Sequence, residues 1–156
     1  MGETTPDTQP ATSNPIKHSL YILTYDRGTY SLTGKVKPYH WSYLIKRGNE
    51  GNEQSSSYFQ LRGMPGGFYY PGPEHLSDVV MQQAGDVKDK LEVGEVNRAD
   101  MDKMNDVLAG LEIVKDESSG WSCQDWALAG LAKLREEGIV YEHMTVEVVR
   151  SWLKER

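Results

Sequence analysis

The sequence predicts an α+β domain, an antiparallel sheet packed against helices. Two observations carry this. Runs rich in aromatic and β-branched residues, spaced by short polar or Gly/Pro turns, occupy the first two thirds of the chain. Amphipathic stripes at helical spacing follow them. At 156 residues the chain is long enough to bury a core as one domain.

The opening "MGETTPDTQPATSNP" is polar, contains Pro6, Pro10 and Pro15 and offers almost nothing apolar to bury. Residues 1–15 are therefore expected to form a disordered tail and residues 16–156 the single domain. "HSLYILTYD" reads as a first strand and "TYSLTGKVKP" as a loop, with room for a short strand. "YHWSYLIKR" is a second strand, "GNEGNEQSS" a turn and "SYFQLRG" a third strand, together an antiparallel meander. "MPGGFYYPGPE" is a Gly/Pro loop with three aromatic rings. "HLSDVVMQQ" fits a short helix or an edge strand, and "DKLEVGEV" a later strand.

The helices come next. "RADMDKMNDVLAGLEIV" places Met101, Met104, Leu108 and Leu111 at helical spacing. "SCQDWALAGLAKLREEG" is a second helix, closed by Gly138. "TVEVVRSWLKER" is a third, with Val146, Val149 and Leu153 on one stripe and cations in its last turn.

Composition narrows the function. Seventeen basic residues against 23 acidic ones give a net charge of −6, the wrong balance for binding nucleic acid. No run approaches the roughly 20 apolar residues of a membrane span, so no stable membrane insertion is expected. The N-terminus lacks a signal-peptide core, and Pro6 breaks the myristoylation pattern after Gly2. A single cysteine requires no oxidising compartment, and a cytoplasmic or nuclear location is expected. One cysteine and four scattered histidines give no metal-ligand spacing, and no glycine pattern forms a phosphate cradle. No metal and no cofactor is expected.

The chemistry then centres on "GWSCQDWALAGLAKL". Ser122 is a suitable N-cap and Asp125, three residues on, gives a weak capping box. Cys123 becomes the first helical residue, on the inward face with Trp126, Ala127, Gly130, Leu131 and Leu134. Two readings stay open. A free cysteine fills space in a core as a small apolar group, or the orphan N–H groups and helix dipole favour its thiolate and make it a nucleophile. Among the histidines, His18 opens the first strand, and His75 and His143 lie in polar contexts. His40 sits inside an apolar strand. Alternation puts His40, Ser42 and Leu44 on one face and Trp41, Tyr43 and Ile45 on the other. A catalytic thiol needs a base and a group to orient that base. Gln60, on the neighbouring strand, can share a face with His40.

These residues resemble a family. "YHWSYLI", then "YFQLRG", then "WSCQDWALAGLAKL" is similar to the circularly permuted papain-like cysteine hydrolases and acyltransferases. That group includes the lecithin:retinol acyltransferase-like enzymes and the desumoylating isopeptidases. It carries a strand histidine followed later by a helix-start cysteine, here His40-Trp41 and Ser122-Cys123-Gln124-Asp125-Trp126. Gln60 stands where relatives often carry a second histidine, and Ser122 where an asparagine is common. The stretch "FQLRGMPGGFYYPGPE" with "CQDWALAGLAKL" is similar to small fungal proteins as well. The resemblance implies a permuted papain-like fold, with Cys123 as nucleophile, His40 as general base and acid, and Gln60 orienting the imidazole. Phe68, Tyr69 and the tryptophans beside the motifs, Trp41, Trp121 and Trp126, are then candidates to line the substrate cleft. The alternative for the loop rings is packing on the domain. The expected substrate is an amide, ester or isopeptide in a small molecule, a peptide or a ubiquitin-like protein. The competing expectation is a non-catalytic interaction module on the same fold.

Overall fold

The structure is a computed structural model, described over residues 17–46, 55–77 and 85–153. The expected N-terminal tail, most of the "GNEGNEQSS" turn and the end of "HLSDVVMQQ" lie outside the described residues. Five strands, β1 (Lys17–Asp26), β2 (His40–Lys46), β3 (Ser55–Phe59), β4 (Glu74–Ser77) and β5 (Asp86–Asn97), form one antiparallel sheet in the order β4-β3-β2-β1-β5. The meander runs β1 to β4, and β5 returns to the free side of β1. Among the described residues three α-helices follow: α1 (Met101–Ala109), α2 (Cys123–Glu136) and α3 (Val146–Leu153). The α+β class and the antiparallel sheet are those the sequence predicts, and the described start of "HLSDVVMQQ" belongs to the edge strand β4.

The period-2 alternation of β2 decides how the layers stack. Trp41, Tyr43 and Ile45 join Leu20, Ile22 and Phe59 in the main core, which α2 closes with Trp126, Ala127, Leu131 and Leu134. The opposite face carries a smaller cluster of Leu23, Tyr25, Leu44 and Tyr58. Both faces of β1 and β2 are thus covered, which explains why both strands read as nearly continuous apolar runs.

The α2 helix lies across β2. The Tyr43 hydroxyl donates to the Ala127 carbonyl, and the Tyr43 and Trp126 rings meet edge-to-face at 6.3 Å. Gly130 is buried where α2 meets α1, and a methyl there would lie 2.8 Å from a Leu108 Cδ. Gly138, at φ +82, closes the helix in the left-handed region that glycine adopts freely. The chain then runs beside β5, where Val140 bridges Gly94. The helix that begins with Cys123 is fastened at both ends.

Candidate active site

Cys123 starts α2 because Ser122 caps it. The Ser122 hydroxyl accepts from the Gln124 N–H at 3.2 Å, and the Asp125 carboxylate accepts from the Ser122 N–H at 2.9 Å. The capping box expected from Ser122 and Asp125 is complete. This fixes the direction in which the first turn meets the sheet.

What it meets is the end of a strand ladder. β3 pairs with β2 from Tyr43 to Lys46, and this ladder stops short of Trp41. The start of α2 lies beyond that end. The Cys123 thiol donates to the Tyr39 carbonyl at 3.9 Å, the Gln124 amide donates to the same oxygen at 3.0 Å, and the Trp41 N–H faces the sulfur. Sequence reasoning missed Tyr39 and Gln124 in this role, because it depends on where a neighbouring strand stops.

His40 leaves β2 on the face opposite Trp41, beside the Tyr25 ring at 5.8 Å. Its Nε2 lies 2.7 Å from Gln60 Oε1. The Gln60 NH2 in turn donates to Glu74 Oε1 at 3.1 Å, and Arg62 Nε donates to both oxygens of Glu74 at 3.0 and 2.9 Å. This chain fixes a tautomer. A carboxylate only accepts hydrogen bonds, so it selects the amide's NH2 and turns the amide oxygen toward the ring. The imidazole then carries its proton on Nε2 and keeps its lone pair on Nδ1. Glu74 and Arg62 were not singled out in the sequence: Glu74 comes from the edge strand β4, and Arg62, just beyond β3, joins through it.

A cleft of about 910 Å³ brings these groups to one place. Cys123, His40, Gln60 and Ser122 line it, with Tyr39 and Phe68. Cys123 and His40 share the cleft without a hydrogen bond between them. Burial lowers the His40 pKa from 6.5, the Gln60 bond raising it in part and the Arg27 and Arg62 charges lowering it further. Burial also raises the Cys123 pKa, against the opposing pull of the Trp41 N–H, Arg27 and its own amide. Of the two effects weighed at the helix start, burial is the larger for Cys123. Cys123 is 7% exposed, and desolvation outweighs the orphan N–H groups.

The aromatic candidates separate. Phe68 lines the cleft and Trp121 packs edge-to-face on it at 5.8 Å. Tyr69 is exposed and bridges Arg62 in a small hairpin whose other arm lines the cleft, Tyr69 itself lying outside the lining. Trp41 and Trp126 are fully buried in the main core, so the expectation that they contact substrate is corrected: strand alternation and the inward stripe of α2 point them at each other's layer. Of the remaining histidines, His75 and His143 are exposed as expected and His18 is half-buried.

The lowered His40 pKa has a consequence for stability. Below 6.5 the unfolded chain takes up a proton that the folded His40 refuses, so stability falls as pH drops from 6.5 toward the folded value. The expected result is an unfolding midpoint in urea that declines in this range for the native chain, and a flatter profile in His40→Asn. Parallel profiles for the two would show that His40 takes its proton equally well in both states.

No helix among the described residues is long and apolar enough to cross a membrane. Residues 20–141 match the model of a family of unknown function (DUF6540). No curated protein and no solved structure matches the chain.

Proposed function

The chain belongs to DUF6540, and we propose that it is a thiol hydrolase or acyl transferase of permuted papain-like architecture, acting on an amide, ester or isopeptide carbonyl. The observation that carries this reading is the cleft that joins Cys123 and His40, with Gln60 holding the imidazole at 2.7 Å. The order of the site residues along the chain, the capped helix start and the antiparallel sheet also support it.

The resting state is a neutral thiol and a neutral imidazole lining one cleft. His40 Nδ1 takes the thiol proton as the sulfur attacks the carbonyl carbon, forming the C–S bond. The oxyanion that develops faces the Cys123 N–H, which as the first helical donor has no intrahelical acceptor. The imidazolium protonates the leaving amine or alcohol as its bond to carbon breaks, leaving a thioester. Water or an amine then attacks with His40 as base, and the thiol is restored. Gln60 is a positioning residue in this scheme. It fixes the ring, but as a neutral amide it stabilises imidazolium less than a carboxylate would.

The test is a panel of acyl esters, thioesters and ubiquitin-like C-terminal probes, read by mass spectrometry. The expected result is an adduct at Cys123 that decays on standing and is absent in Cys123→Ser. Labelling of the sulfur only after denaturation would overturn the reading. A second reading is a binding module that uses the same cleft without covalent chemistry. The raised thiol pKa and the absence of a Cys123–His40 bond at rest favour it. Saturable, non-covalent binding of a probe, equal in native and Cys123→Ser chains, would select that reading.

A further inference from the structure

The cleft has a cationic wall that the thiol chemistry leaves unused. The side chains charged at neutral pH that line it are Asp26, Arg27, Lys37 and Arg62. Arg62 is neutralised by Glu74 at 2.9 Å. The Asp26 carboxylate accepts from the Gly28 N–H at 2.8 Å and lies 4.0 Å from Lys88. Lys37 sits over the Tyr30 ring, its Nζ 5.6 Å from the centroid, and has no carboxylate partner among the described residues. Arg27, the residue after β1, is exposed and has no carboxylate partner among the described residues. Among the described residues two cations without a carboxylate partner thus line the cleft of a chain whose net charge is −6. Arg27 also lies close enough to depress the pKa of both His40 and Cys123, so its charge reaches both ends of the pair.

Building on the thiol reading above, we propose that Arg27, assisted by Lys37, forms a carboxylate subsite beside Cys123, so that the preferred acyl substrate carries a carboxylate near the carbonyl that is attacked. A guanidinium offers paired N–H donors that match a carboxylate, and an uncompensated cation at a cleft mouth raises the local concentration of anions. The wall discriminates against neutral and cationic acyl groups of equal size.

The experiment compares two alkylating agents of nearly equal size, iodoacetate and neutral iodoacetamide. In both, the sulfur displaces iodide: a C–S bond forms, the C–I bond breaks with its electron pair, and the thiol proton goes to His40 or water. The quantity read is the ratio of the two alkylation rates at Cys123, relative to the same ratio for free cysteine in the same buffer. The expected value is about fivefold above free cysteine at low salt, falling as salt screens the charges. Arg27→Gln brings it down by most of that factor, and Arg27→Gln with Lys37→Gln brings it to unity. Both positions are at the surface, so folding is retained, and near-ultraviolet circular dichroism checks this. Protection from iodoacetate by succinate identifies a free acid as the source of the carboxylate; protection by a glutamate-containing peptide and not by succinate identifies an acidic peptide. A native ratio equal to that of free cysteine, or one unmoved by Arg27→Gln, overturns the subsite and leaves the thiol reading standing. A folded chain that reacts with neither reagent overturns both.

Discussion

His40→Ala slows the alkylation of Cys123 by iodoacetamide at neutral pH by at least about tenfold, the low end of what a positioned base contributes. The native and variant rates converge as pH rises. The thiol pKa lies above its ordinary 9.0, so without a base the rate tracks the scarce thiolate and climbs by about tenfold per pH unit well into the alkaline range. With His40 in place the proton has an acceptor at neutral pH, because the buried imidazole is unprotonated there and its Nδ1 is free. The native chain therefore holds a reactivity plateau that extends below 6.5, where His40 finally takes up its own proton. Convergence at high pH separates loss of a base from loss of structure, since a misplaced sulfur would stay slow at every pH. Equal native and variant rates across the range would remove His40 from the site.

The α+β class, the first three strands and the helices were legible because each is set by local pattern. The alternation of "HWSYLI" placed Trp41, Tyr43 and Ile45 on one face correctly. Ser122 and Asp125 announced the start of α2 four residues at a time. The pairing of His40 with Gln60 was legible for the same reason: adjacent strands of a meander put like-facing residues side by side. The rest depends on where elements stop. The β2–β3 ladder runs only from Tyr43 to Lys46, and it is beyond its end that Cys123 and Gln124 meet the Tyr39 carbonyl. The link from Gln60 to Glu74 needs β4 to lie outside β3, and no pattern in "HLSDVVMQQ" distinguishes an edge strand from a short helix. The direction of the Cys123 pKa shift stayed open on the same ground. The helix start is visible in sequence, but the layer that buries the sulfur is not.

The largest stability effect is expected at Gly94→Ala, and it also tests how α2 is held. Gly94 lies in β5 between Leu20 on β1 and Val140, which follows α2. Its neighbours tie the two segments together: the Glu95 N–H donates to the Ile139 carbonyl at 3.1 Å and the Tyr141 N–H to the Val93 carbonyl at 2.9 Å. A methyl on Gly94 would stand 2.1 Å from the Ile139 oxygen and 2.9 Å from the Val140 Cα. Those are backbone atoms already fixed by the flanking bonds, so the clash is relieved only by moving the 139–141 segment off β5. The expected cost is about 2–4 kcal/mol, from overpacking and lost backbone bonds together. Gly130→Ala is the control. It too is buried and crowded, but its methyl would meet the ends of Leu108, Leu111 and Tyr43 side chains, which can shift. Alanine also returns about 1 kcal/mol of helix propensity, and the net change should stay within about 1 kcal/mol. Urea unfolding of the two variants beside the native chain reads the difference. Because α2 is pinned at its far end by the segment that Gly94→Ala displaces, the same variant should expose Cys123 to alkylation through local opening, under conditions where Gly130→Ala does not. Equal midpoints for the two would mean that the 139–141 bridge contributes nothing to the fold, and that α2 is held by its contacts with β2 alone.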